Sequence, residues 1–146
     1  ANVKKAVAAA RKVADVVIVV HPWGWPEYHA NFTARQKEQM ELFWEAGADH
    51  VVGHGTHWAS AVSLTRPEGE DYRFVISSHG NFLFGQDWSR QTQEGVIPEL
   101  TFVGSTLVQA RLHPYIMLDQ AQANLTDPAT DGKYVLEQVW KASTLK

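Results

Sequence analysis

An α/β fold whose parallel strands lead into one ligand-binding crevice is what this sequence predicts, on three observations. Val16-Val17-Ile18-Val19-Val20 is an unbroken apolar, β-branched run, residues 33–46 recur with helical spacing, and His50-Val51-Val52-Gly53 is a second short apolar run. Strand, helix, strand is the crossover unit, and its two strands run parallel and end on the same sheet edge. Open α/β sheets bind ligands outside that carboxyl edge. The first run ends at His21 and the second at His54, which opens the turn His54-Gly55-Thr56-His57-Trp58. His21, His54 and His57 are therefore expected to gather in one crevice.

The elements follow in order. Asn2 is placed to cap a first helix in which Val3, Val7, Ala10, Val13 and Ala14 repeat at helical spacing. Val16–Val20 reads as a central strand buried on both faces. His21-Pro22-Trp23-Gly24-Trp25-Pro26-Glu27-Tyr28-His29 is a proline-stiffened aromatic loop, and the chain leaves the sheet at Pro22. Trp23, Trp25 and Tyr28 either pack over the sheet end or wall a substrate crevice. Thr33 with Gln36 has the capping-box form, Gly47 suits the helix end, and Met40, Phe43, Trp44 and Ala46 give the apolar stripe.

Downstream, residues 59–65 and 72–77 read as strands around the polar loop 66–71. The second of these ends at Ser78-His79-Gly80-Asn81-Phe82, which faces the crevice if that strand is parallel to the first two. Residues 86–93 are polar and irregular. A hairpin is expected over 99–104 and 106–112, with 115–118 extending the sheet beyond Pro114. Asp127-Pro128 and Asp131 introduce a last helix, roughly 132–142.

A chain of 146 residues with 45% hydrophobic content can bury a substantial core. The net charge of −3 comes without any Lys/Arg run, which argues against nucleic acid as a partner. No apolar stretch is long enough for a transmembrane segment. With no cysteine, a metal would have to be held by nitrogen and oxygen. The opening Ala1-Asn2-Val3-Lys4-Lys5 lacks a starting Met and reads as an internal start.

Neutral imidazole is the commonest metal ligand, and catalytic sites typically take three protein ligands and leave a place for water. His21, His54 and His57 are accordingly the candidate metal ligands, with His54 and His57 the candidate catalytic residues. The competing reading is that these rings hydrogen-bond to carbonyls in tight turns. Glu27 reads as a carboxylate orienting an imidazole or as a solvated loop charge. His79 and Asn81 are further candidates for substrate contact or for supporting a ligand. His50 should lie at the opposite edge, His113 on the surface or in packing, and His29 has no assignment.

Asp15–His21 with Trp23-Gly24 and Glu27-Tyr28, Gln36, Ala46-Gly47-Ala48-Asp49, Val52-Gly53-His54 with His57, and Gly80-Asn81-Phe82-Leu83-Phe84 form an ordered series. Over about residues 1–119 this series resembles the bacterial capsule-synthesis and poly-gamma-glutamate-synthesis family of CapA type, a branch of the calcineurin-like metallophosphoesterases. The resemblance implies a four-layer α/β/β/α sandwich with a dinuclear divalent centre of Mn, Fe or Zn on its loops. By position, His21 matches the family's His before Trp-Gly, and His54 and His57 match its Gly-His-x-x-His turn. Glu27 matches the Glu of its Glu-Tyr pair, and Asn81 the Asn of Gly-Asn-Phe. Pro22 and Pro26 depart from the family's His-Trp-Gly-x-Glu-Tyr pattern, and His79 stands where the family has an apolar or small residue.

On this resemblance, residues 1–146 are a single unit, the C-terminal portion of such a domain, whose N-terminal half would be its partner and supply the remaining ligands. Alone, the chain is expected to bind at most one ion weakly and to have little activity. Metal-activated water attacking a phosphoester in the complete protein is the implied chemistry, in an extracytoplasmic or membrane-anchored parent. The alternative is a non-catalytic module holding a polymer or a partner protein in the aromatic crevice of Trp23, Trp25 and Tyr28.

Overall fold

A computed structural model describes residues 2–143. Helix α1 (Asn2–Ala10) precedes strand β1 (Ile18–Pro22), helix α2 (Ala34–Glu45) and strand β2 (His50–His54), and the two strands pair in parallel. Strands β3 (Val62–Thr65) and β4 (Arg73–Ile76) complete a sheet of order β1-β2-β4-β3, in which β4 is parallel to β2 and β3 antiparallel to β4. A four-residue helix α3 (Arg90–Gln93) leads into the antiparallel sheet β5 (Glu94–Val103), β6 (Thr106–Leu118) and β7 (Gln122–Leu125). Helix α4 (Lys133–Ala142) follows. The α/β class read from the sequence holds. No helix of the described residues is long and apolar enough to cross a membrane.

Two apolar clusters layer the structure. Val7, Met40 and Phe43 of the helices meet Val17, Trp23, Val51 and Val75 on one face of the mixed sheet. On its other face Val62, Phe74 and Ile76 meet Val96 and Leu107 of the second sheet together with Val135 and Val139 of α4. Helix α2 forms where its local signals place it. Thr33 Oγ1 accepts from Gln36 N at 3.2 Å, Gln36 Oε1 accepts from Thr33 N at 2.8 Å, and Gly47 takes φ +97° beyond the last turn. Asp49 ties the start of the sheet together, since its carboxylate accepts from Val17 N at 2.6 Å and pairs with Arg11.

Three expectations need correction. The first strand is an edge strand rather than a central one, and Ile18 and Val20 are 40% and 65% exposed. Strand β2 takes the central place instead, with Val51 fully buried. The hairpin strands run further than the prolines suggest. Strand β5 begins at Glu94 and tolerates Pro98 because it lies at its sheet's edge. Strand β6 continues through Pro114, whose carbonyl accepts from Thr126 N at 2.9 Å just past the end of β7, where no ladder needs the missing N–H. The polar stretch before β5 is not wholly irregular: Ser89 caps α3 by a box with Thr92.

Glu94 is buried and faces Arg90 across one helical turn. Burial lifts its carboxyl above the ordinary 4.5, and Arg90 pulls it back. A raised carboxyl favours the protonated folded state, so its stabilising effect is complete below 4.5 and is lost as pH rises through the raised value. Arg90→Ala is therefore expected to cost about 1–3 kcal/mol at roughly pH 7, the range for a buried polar group left unsatisfied, and much less at roughly pH 4. Urea unfolding at the two pH values checks this, and adding Glu94→Gln should restore most of the loss.

Candidate functional site

Because β1, β2 and β4 are parallel, their carboxyl ends share one edge, with His21 opposite Gly53 and Pro22 opposite His54 in register. The segment after β4 therefore brings His79 and Asn81 to the same edge. His21 is half-buried with its ring centroid 5.0 Å from Trp23 and 5.1 Å from Phe43. The His79 ring lies 6.5 Å from that of His54. Burial, and then the neighbouring His54, hold both His21 and His79 below the ordinary imidazole value of 6.5.

Trp23 spans the strand ends. It is 4% exposed, and its indole N–H donates to Ser77 O at 2.5 Å across the backbone of Gly53. A Cβ at Gly53 would lie 2.0 Å from Trp23 Nε1 and 2.2 Å from Ser77 O. The glycine before His54 is thus a gap for an indole. Trp23 takes the packing role, whereas Trp25 is 77% exposed.

His57 makes its contacts with Tyr28, Phe84, Asn81 and Glu27. Its φ of +65° is in the left-handed region, as is Tyr28 at +56°, a conformation that costs side-chain-bearing residues about 1–3 kcal/mol. The two strained residues stack, with ring centroids 5.2 Å apart and planes 20° from parallel. Their backbones are held by Thr56, whose carbonyl accepts from Tyr28 N at 2.8 Å and whose buried hydroxyl donates to Trp58 O at 3.1 Å.

One ring nitrogen of His57 is assigned by its partner. Asn81 Nδ2 donates to the carbonyl of Thr92 at 3.1 Å and to Gln86 Oε1 at 3.2 Å, so Asn81 presents Oδ1 to His57 Nδ1 at 2.8 Å. An acceptor there requires a proton on Nδ1, which leaves the Nε2 lone pair free in the neutral ring. Nε2 faces Glu27 Oε2 at 4.0 Å. Asn81 itself is held from behind by Tyr115, whose hydroxyl donates to Asn81 O at 2.9 Å. Burial pushes that hydroxyl's pKa up, so it stays a donor.

The donor chemistry suits a divalent ion bound through nitrogen. His21 and His79 are held toward the neutral form that ligates, and His57 carries the oriented second nitrogen that ligating imidazoles show. The number of donors does not by itself close a site. Among the described residues no three His, Asp or Glu side chains stand close enough to hold one ion. His50 lies at the far edge as expected, its Nδ1 accepting from Phe74 N at 3.2 Å. His113 bonds Glu99 at 2.5 Å on the second sheet.

Sequence reasoning missed three residues at His57. Phe84 lies 5.2 Å from its ring, Trp88 stands edge-on to Tyr28 at 5.1 Å, and Gln86 bonds Asn81. Phe84 lay in the motif series without a role, and the polar stretch from 86 hid the other two.

Fold and edge together define the class: an α/β sandwich that gathers imidazoles, an amide and a carboxylate at the carboxyl ends of parallel strands. The chain belongs to the bacterial capsule synthesis protein family PGA_cap, whose model matches residues 1–86. It is 32% identical over 91 residues to the PGA biosynthesis protein CapA of Bacillus subtilis (strain 168), covering 62% of this chain and 22% of that protein. It is also 32% identical over 84 residues to the capsule biosynthesis protein CapA of Bacillus anthracis, covering 58% and 19%. The chain thus matches about a fifth of the length of these relatives. The matched stretch contains every candidate site residue from His21 to Asn81 and ends at Gln86.

Proposed function

We propose that this chain carries the histidine-bearing part of a metal-dependent phosphoesterase-like centre in a protein of capsule or poly-gamma-glutamate biosynthesis. The observation behind this reading is His57, whose Nδ1 is held by Asn81 Oδ1 at 2.8 Å so that its Nε2 faces Glu27 at 4.0 Å. His21 and His54 would hold a divalent ion, Mn, Fe or Zn, and further ligands from the rest of the domain would complete a dinuclear set. Such an ion supplies a bound water whose pKa falls toward about 7. His57 Nε2 accepts a proton or a metal bond, and as the imidazolium it offsets charge developing on phosphoryl oxygens. Glu27 stabilises that imidazolium. Among the described residues no strand pairs with the outer edge of β1, and with Ile18 and Val20 exposed this supports completion by another segment of the protein.

The test is hydrolysis of a generic phosphoester by the complete protein with and without Mn²⁺, alongside metal analysis. The double variant His21→Ala/His57→Ala is expected to lose at least about 100-fold in rate, as the removal of general acid–base groups does. Unchanged hydrolysis in that variant would overturn the reading. A second reading is a non-catalytic module that holds a polymer or partner protein. It is favoured by the exposed apolar rim of Trp25, Phe82, Leu83, Phe84 and Trp88. Metal-free protein that binds the polymer undiminished would select it.

A further inference from the structure

We infer that Gln86 is a positioning residue for His57, closing a circuit of side chains that fixes the imidazole in one tautomer and one plane. The inference rests on the functional reading above only for its consequence, since the circuit itself is geometric. Gln86 Nε2 donates to the Tyr28 hydroxyl at 2.9 Å, and Gln86 Oε1 accepts from Asn81 Nδ2 at 3.2 Å. Asn81 Oδ1 accepts from His57 Nδ1 at 2.8 Å, and the Tyr28 ring lies flat on that imidazole. Four side chains from the loops after β1, β2 and β4 thus form a closed ring of contacts.

Each link does something the others do not. Thr92 O engages one hydrogen of the Asn81 amide at 3.1 Å and so decides which end faces His57. Gln86 engages the other and so sets the amide's plane, which a single hydrogen bond leaves free to rock. The same Gln86 amide holds Tyr28 by its hydroxyl while Trp88 meets the ring edge-on, so the tyrosine stays over His57 in spite of its left-handed backbone. What this position needs is a side chain that accepts from Asn81 at one end and hydrogen-bonds the Tyr28 hydroxyl at the other, and the primary amide does both.

The experiment is nitrogen-15 and proton NMR of the His57 ring in the metal-free full chain, comparing wild type, Gln86→Leu and Gln86→Glu. Wild type should show the Nδ1–H form with ring protons shifted upfield by the Tyr28 ring. In Gln86→Leu that upfield shift is lost and a second tautomer becomes visible. Gln86→Glu can still accept from Asn81 and from the Tyr28 hydroxyl, and should restore both signals. A folded Gln86→Leu protein with wild-type His57 signals overturns the inference. Should Gln86→Leu fail to fold, Tyr28→Phe cuts the circuit at its other end while leaving Asn81 held by Gln86 and Thr92, and it should weaken the upfield shift of the His57 ring protons without a second tautomer; unchanged ring-proton shifts there overturn the inference. In the complete protein, Mn²⁺ affinity should fall by about tenfold in Gln86→Leu, the lower end for residues that orient a ligand. Wild-type protein that binds no Mn²⁺ would sink the metal reading and leave the NMR outcome to decide the circuit.

Discussion

Gly53→Ala is expected to destabilise the fold by roughly 2–6 kcal/mol, adding about 1–3 for overpacking to about 1–3 for a buried hydrogen bond lost. The new methyl would fall 2.0 Å from the Trp23 indole nitrogen and 2.2 Å from the carbonyl that this nitrogen reaches. Neither neighbour can shift without loss, since Ser77 O is backbone at the end of β4 and Trp23 is packed beside His21 and Phe43. The indole must leave, and the ends of β1, β2 and β4 lose their common pin. Urea unfolding followed by tryptophan fluorescence measures the loss. Trp23→Phe, which removes the hydrogen bond and keeps most of the packing, should lose only about 1–3 kcal/mol, the smaller share.

Asn81→Leu is expected to lower Mn²⁺ affinity and phosphoester hydrolysis in the complete protein by about 10–100-fold, or about 1.4–2.7 kcal/mol. Leucine fills the space and leaves His57 Nδ1 without its acceptor, so the ring no longer presents a lone pair at Nε2 toward Glu27. Asn81→Asp separates orientation from packing. Its carboxylate can accept from Nδ1, but it turns an oxygen toward the carbonyl of Thr92, where the amide now donates. Asp should therefore keep more activity than Leu at a greater cost in stability. Titration with Mn²⁺ and thermal unfolding of both variants give the comparison, and equal activity in the two would show that the Nδ1 contact is idle.

What could be read from the sequence follows the range of the interactions. The crossover unit and α2 were legible because their signals are local: the capping box at Thr33 and Gln36, the left-handed Gly47, and two apolar runs ending in histidine. The arrival of His79 and Asn81 at the same edge depended on the direction of β4, and its parallel pairing with β2 supplies it. The edge position of β1 was hidden, since a buried central strand and an apolar edge strand share one composition. The strands through Pro98 and Pro114 were hidden because a proline's tolerance depends on which side of the ladder it faces. Trp23 and Ser77 are 54 residues apart, and nothing in either neighbourhood announces the pairing. Gln86 was invisible for the same reason: its role exists only once Tyr28, 58 residues away, has been folded against it.

If the imidazoles at this sheet edge hold a divalent ion, pulsed electron paramagnetic resonance of the Mn²⁺-loaded complete protein will register them as nitrogen ligands. The expected spectrum shows nitrogen-14 modulation from bound imidazole that disappears in His21→Ala/His54→Ala. Bound Mn²⁺ surrounded by oxygen alone, or a nitrogen signal indifferent to those two substitutions, would contradict it.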